Sequence, residues 1–182
     1  MNYKDMIKKI KSRPIILVIG GIMTIAACNS SNEKTANTDT NNKTEMEEQN
    51  NTALFPRGEK LSNEWFSGTA FLHPLLARDK NNDFALGSVT FEPGARTNWH
   101  THPKGQVLIV TEGGGFYQEK GKPAQRIEKG DVVNIPEGVE HWHGATADTE
   151  MAHIALTNYE GEQNVTWLNP VTDEEFNEVN RK

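Results

Sequence analysis

The sequence predicts an all-β fold: a single-domain barrel or double-sheet jelly roll with one short C-terminal helix. Three observations carry this reading. Short apolar runs recur from Leu54 onward, broken by Gly, Pro, Asn and Asp, as in strands joined by tight turns. Glycine-rich punctuation (EPG, EGGG, EKGKP, EKG and PEG) lies around or between these runs and supplies turn chemistry. A helix signal stands at the C-terminal end.

The elements follow in order. Strands are expected at ALGSVTF (85–91), QVLIV (106–110), GFYQE (115–119), DVVNI (131–135) and MAHIALT (151–157), with EGGG read as a turn before GFYQE. Repeated short strands of this kind close into a barrel or fold into two packed sheets. At the end of the chain Thr172 can cap a helix and Glu175 completes a capping box. Phe176 and Val179, three residues apart, then share one helical face.

The folded domain is expected at 54–182, behind two segments of different character. Residues 1–27 read as a targeting segment: Lys4, Lys8, Lys9, Lys11 and Arg13 precede the apolar run PIILVIGGIMTIAA, which ends at Cys28. That run is shorter than the roughly 20 apolar residues a spanning helix needs. Small residues before the cysteine resemble a bacterial lipoprotein signal, with Cys28 as the lipidated residue. Residues 28–53 are dominated by Asn, Thr, Ser and Glu and cannot bury enough apolar surface to offset their ordering entropy. A polar tether is therefore expected there. The implied location is the bacterial cell envelope, outside the cytoplasm, with attachment to a membrane through lipid on Cys28.

Charge and cysteine usage exclude whole classes of function. The full chain carries a net charge of −6, with 19 basic and 25 acidic residues. Residues 1–27 hold five of those basic residues and one acidic one, so the remainder has 14 against 24, a net charge of −10. A surface this acidic argues against nucleic acid as a partner. Cys28 is the single cysteine of the chain. A thiol nucleophile, a thiolate metal site and an intrachain disulfide are thereby excluded from the domain.

The chemistry lies in histidine. Side chains two apart on a strand share a face, so His100 and His102 of WHTHPKGQ point the same way. Gln106 can join them if PKG keeps the register. His141 and His143 of HWH form a second pair, and His153 lies on the same side of its strand as Met151 and Ala155. One isolated H-x-H is usually a half-buried pair satisfied by backbone carbonyls. Imidazoles converging from several strands are instead what a divalent metal site requires. His73, in FLHPLL, stands apart from these clusters and is read as structural.

Spacing decides between the two readings. Gly94-x5-His100-x-His102-x3-Gln106-x6-Gly113 is followed by Gly130-x5-Pro136-x-Gly138-x2-His141, and this order resembles the two signature motifs of the cupin superfamily. Gln106 stands where most cupins have Glu, and Ala145 where the second motif usually ends in Asn. FEPGARTNWHTHPKGQVLIVTEGGG, GDVVNIPEGVEHWHGA, MAHIA and WLNPVTDEEF narrow the likeness to small single-domain cupins that include manganese-dependent (R)-selective hydroxynitrile lyases. That group also carries glutamine at the fourth ligand position.

The resemblance implies a cupin β-barrel and a ligand set of His100, His102, Gln106 and His141 for one divalent metal, with manganese favoured over iron, zinc or nickel. It implies catalytic roles for His143 and His153, and a substrate pocket lined by Val89, Thr97 and Leu108. The expected activity is a lyase on cyanohydrin-like (2-hydroxynitrile) or related small hydroxy and carbonyl compounds. A metal-dependent dioxygenase with the same ligands, or a non-catalytic cupin that binds a metal or small molecule, stand as alternatives. Small cupins also pair through edge strands, so a homo-oligomer is compatible with the resemblance, although no residue specifies one.

Overall fold

The computed structural model describes residues 53–181. Cys28 and the signal-like segment 1–27 lie outside the described residues, as does all of the expected tether except residue 53. Among the described residues the chain forms β1 (Glu59–Lys60), β2 (Phe66–Ser67), β3 (Ala70–Leu76), β4 (Phe84–Phe91), β5 (Arg96–Thr97), β6 (His100–Thr101), β7 (Gln106–Glu119), β8 (Gln125–Glu128), β9 (Val132–Ile135), β10 (His141–Ala145), β11 (Met151–Asn158) and β12 (Thr166–Trp167), then α1 (Asp173–Val179).

Every strand pairing is antiparallel, and the strands form two sheets joined through β7. One sheet runs β1-β3-β4-β11-β7-β9; the other contains β2-β5-β10-β7-β8, with β6 beside β10 and β12 beside β6. This is the expected double-sheet jelly roll.

Strand β7 departs from the expectation. Its first half pairs with β11 and β9 in one sheet and its second half with β10 and β8 in the other. EGGG is therefore the bend of one continuous strand, not a turn between two. Glycine is needed there for closeness as well as conformation. Gly113 has φ +64°, and a Cβ on it would lie 1.8 Å from the Glu150 carbonyl oxygen. A Cβ on Gly115 would lie 2.0 Å from the carbonyl oxygen of Gly144.

Period-2 alternation sorts the faces. On β4, Ala85, Gly87 and Val89 line a cavity between the sheets, and Phe91 packs in the main core with Leu72, Leu108, Val110, Ile127, Ile135 and Met151. On β10, His141 and His143 face inward, while Trp142 between them packs outward with Trp99, Val171 and Phe176.

Helix α1 covers that outer cluster. Thr172 caps it and Glu175 closes the capping box as expected, with Glu175 N donating to Thr172 Oγ1 at 3.1 Å and Thr172 N donating to Glu175 Oε2 at 2.9 Å. The buried Arg96 guanidinium ties the helix to the sheet. It donates to the Val171 carbonyl at 3.1 Å and to Asp173 Oδ1 at 2.7 Å, and lies 4.5 Å from the centroid of the Phe176 ring.

Replacing Gly115 with alanine should destabilise the domain by roughly 2–4 kcal/mol, because the new methyl meets the Gly144 carbonyl as well as the Met151 sulfur, and the backbone carbonyl has little room to give. The urea midpoint measures this, and a midpoint equal to wild type would show that β7 bends without needing the close approach.

Candidate metal centre and cavity

The register of β10 brings the two histidine motifs together. His141 lies directly opposite His100 of β6, and their ring centroids are 4.1 Å apart. Strand β6 ends after Thr101, so His102 stands at the start of the turn over Pro103–Gly105, and Gln106 opens β7 on its far side. The PKG segment is a reversal, and His102 and Gln106 flank it rather than extending one strand. His102 still closes on the others, with centroids 5.0 Å from His100 and 5.5 Å from His141.

Three of these imidazoles are held in the same way. Nδ1 of His100 donates to the Asn98 carbonyl at 2.9 Å, Nδ1 of His141 to the Val139 carbonyl at 2.8 Å, and Nδ1 of His102 to the Asn164 carbonyl at 2.5 Å. A carbonyl oxygen can only accept, so each Nδ1 carries the proton and each Nε2 presents a bare lone pair. Nε2 of His102, Nε2 of His141 and Oε1 of Gln106 are all buried without a protein partner. The Gln106 amide is fixed at its other end, where Nε2 donates to Thr157 Oγ1 at 2.9 Å. Buried acceptors left unpaired are costly, and a carbonyl that accepts from the far ring nitrogen and so sets the tautomer is the usual support of a metal-binding histidine.

His143 stands beside this group. Ligand nitrogens of His100, His141 and His143 lie within 4.8 Å of one another, a trio that could bind a metal ion. His143 nonetheless differs from the other two, because its Nδ1 has no partner. Its ring meets Phe91 edge-on at 5.7 Å and His153 at 4.9 Å. The shared carbonyl support groups His102 with His100 and His141. His153 is fully buried, with both ring nitrogens unpartnered.

The cavity is partly open and has a volume of about 100 Å³, the scale of a small organic molecule. Val89 and Thr97 line it together with His100, His102, Gln106, His143, His153 and Thr157. Leu108 is not on its wall. It shares the inward face of β7 with Gln106 and Val110, but it is packed in the main core with no exposed surface. His73 lies on β3, away from the cavity.

The sequence left the aromatic wall unassigned. Trp65 and Trp167 stack at 5.5 Å between centroids, Phe66 meets Trp167 at 5.6 Å, and Trp167 sits opposite His100 at 4.9 Å. These residues come from opposite ends of the domain. The adjacent aromatics of NEWF and the lone Trp167 of VTWL were the only available signal. Asn98, Val139 and Asn164 act through backbone carbonyls, which carry no sequence signature at all.

Burial governs the charge of the site. Desolvation pushes His102, His141 and His153 down to about 4. It also holds His100 and His143 well below the ordinary histidine range, with repulsion from neighbouring imidazoles adding to the shift. All five are neutral at pH 7 and their lone pairs are available.

Residues 87–157 match the Cupin domain family, and the chain belongs to the cupins. It is 47% identical to an (R)-mandelonitrile lyase of Granulicella tundricola over 113 residues, 62% of this chain and 86% of that protein. Among solved structures it resembles a cupin-like protein of Thermotoga maritima with a TM-score of 0.66 and 47% identity, covering 70% of this chain and 96% of the other. A germin-like protein (subfamily 2 member 1) of Arabidopsis thaliana is 33% identical over 79 residues, 41% of this chain and 36% of that protein.

The pKa shifts set a pH dependence. An unfolded chain protonates each histidine near pH 6.5, whereas the folded chain resists until about pH 4 at His102, His141 and His153. The unfolded state therefore binds more protons in this window, and stability present above pH 6.5 is lost as the pH falls toward 4. The melting temperature of metal-free protein should fall steadily across that range, and His153→Phe should flatten the slope. A melting temperature constant from pH 6.5 to 4 would contradict neutral, buried imidazoles.

Proposed function

We propose that this cupin is a metal-dependent lyase that cleaves 2-hydroxynitriles or closely related small hydroxy and carbonyl compounds. The observation that carries the reading is its 47% identity to an (R)-mandelonitrile lyase over 86% of that protein's length. The unpartnered polar atoms of His102, Gln106, His143 and His153, all on the wall of one small cavity, support it.

In this reading His100, His102, Gln106 and His141 hold one divalent cation, manganese by resemblance. A cation bound there would act as a Lewis acid and lower the pKa of a substrate hydroxyl. Three neutral imidazoles and an amide oxygen bring no negative charge of their own, so the site retains a strong attraction for oxyanions and for cyanide.

The remaining steps belong to the protein. His143 takes the hydroxyl proton through an unpartnered ring nitrogen. The oxygen's electron pair becomes the second bond of the carbonyl, the bond to the nitrile carbon breaks, and its electron pair leaves as cyanide. His153, beside His143, hydrogen-bonds the departing cyanide, and the proton held by His143 neutralises it to hydrogen cyanide. Full burial disfavours a lasting imidazolium at either residue and so favours passing the proton on. The aromatic pair Trp65 and Trp167, with Phe66, offers an apolar surface for the substrate's carbon body.

Mandelonitrile cleavage, followed as benzaldehyde release without oxygen, tests the reading. Chelation should abolish activity and manganese should restore it. His143→Ala should lower kcat/KM by roughly 10²–10⁴-fold while still binding metal, and Gln106→Ala should lose metal affinity as well as rate. Metal binding without oxygen-independent cleavage would overturn the lyase assignment.

We also propose a lipid anchor on Cys28, placing the domain at the cell envelope; the support is the apolar run and small residues that precede this cysteine. Labelling of growing cells with a fatty-acid analogue should mark the full chain and should fail to mark Cys28→Ser. Equal labelling of the two would remove the anchor.

A further inference from the structure

We infer that Thr157 is the positioning residue that lets an amide serve as a ligand at position 106. The inference rests on the ligand reading proposed above and deepens it.

Thr157 and Gln106 are partners across the β11–β7 ladder, so their side chains meet by register. Both are buried, and the Thr157 hydroxyl accepts the Gln106 Nε2–H at 2.9 Å. The opposite end of the amide faces His102, whose Nε2 is a bare acceptor.

An amide in this place has two orientations with opposite consequences. With Oε1 toward His102 and the other imidazoles, it adds a fourth donor atom for a cation. Turned over, its NH₂ group would donate to the His102 lone pair and present N–H where the cation must sit. A carboxylate would carry no such ambiguity, having two equivalent oxygens.

The liganding orientation sends NH₂ away from the imidazoles, toward the cross-strand neighbour Thr157 on the buried wall of the cavity, where it needs an acceptor. Thr157 Oγ1 is the acceptor found there. Valine at 157 keeps the shape and the strand propensity but removes it. The buried NH₂ would then be unpaired in the metal-bound state and satisfied by His102 in the metal-free state. Both effects act against binding. Outer partners of metal ligands typically contribute about 10–100-fold in metal affinity.

The test uses manganese(II) alone, titrated calorimetrically into the metal-free full chain. Thr157→Val should bind at least about tenfold more weakly than wild type. Thr157→Ser, which restores the oxygen, should recover to within about threefold of wild type on the same scale. In a Gln106→Ala background, Thr157→Val should change nothing, since the group it orients is gone. A purely structural role for Thr157 would instead lower affinity in both backgrounds. Wild-type affinity in folded Thr157→Val, or an equal loss with and without Gln106, overturns the inference and leaves the metal centre standing. A wild-type chain that binds no divalent cation removes the ligand reading itself, and this inference with it.

Discussion

The register of β10 against its neighbours is the constraint on which the site depends. His141 faces His100 across one ladder and Glu119 across the other, and with this pairing His141 and His143 point between the sheets while Trp142 points out beneath α1. A slip of one residue would exchange them: two imidazoles would reach the outer face and an indole would fill the cavity. The register is held from both sides. Trp142 is buried against Trp99 and Phe176, and its indole N–H donates to Gln118 Oε1 at 2.8 Å. The outer apolar cluster and the C-terminal helix thus secure the side chains of the inner face.

Within that frame the fold accepts a local cost. Polar groups without partners are unfavourable in an interior, and this cavity gathers several of them on neutral rings. The surrounding structure makes the arrangement persist. Backbone carbonyls of Asn98, Val139 and Asn164 anchor the protonated nitrogens, so the orientations are set by the main chain rather than by mobile side chains. Rings fixed in this way lose little entropy when a ligand arrives, which is the general advantage of a preorganised site.

Much of this was legible beforehand, and the exceptions have physical causes. The strands at ALGSVTF, DVVNI and MAHIALT and the capping box of α1 are local patterns, and local patterns survived folding. As a local pattern EGGG predicts a turn, because glycine clusters usually are turns. In the folded protein the same glycines let β7 pass from one sheet to the other under the carbonyls of Gly144 and Glu150, a contact between residues distant in sequence. Leu108 alternates inward with Gln106, as period-2 reasoning requires, yet it packs into the core because depth within a barrel is not a property of alternation. The aromatic wall has no local signature, because Trp65 and Trp167 lie about 100 residues apart in the chain and meet only in the folded barrel.

The sequence by itself determined the class of fold, the family, and the residue types that converge: imidazoles at spacings of two, glycines and a proline at the turns, and one glutamine where a carboxylate is usual. Each follows from chain chemistry acting over a few residues, whether strand alternation, turn conformation or side-chain basicity. Tertiary structure alone decided which atoms those residues present. Whether an imidazole offers Nε2 or Nδ1 depends on the carbonyl behind it, and whether Gln106 can offer oxygen depends on a threonine in another strand. Hydrogen-bond partners across the barrel set these choices, and no local pattern in the chain encodes them.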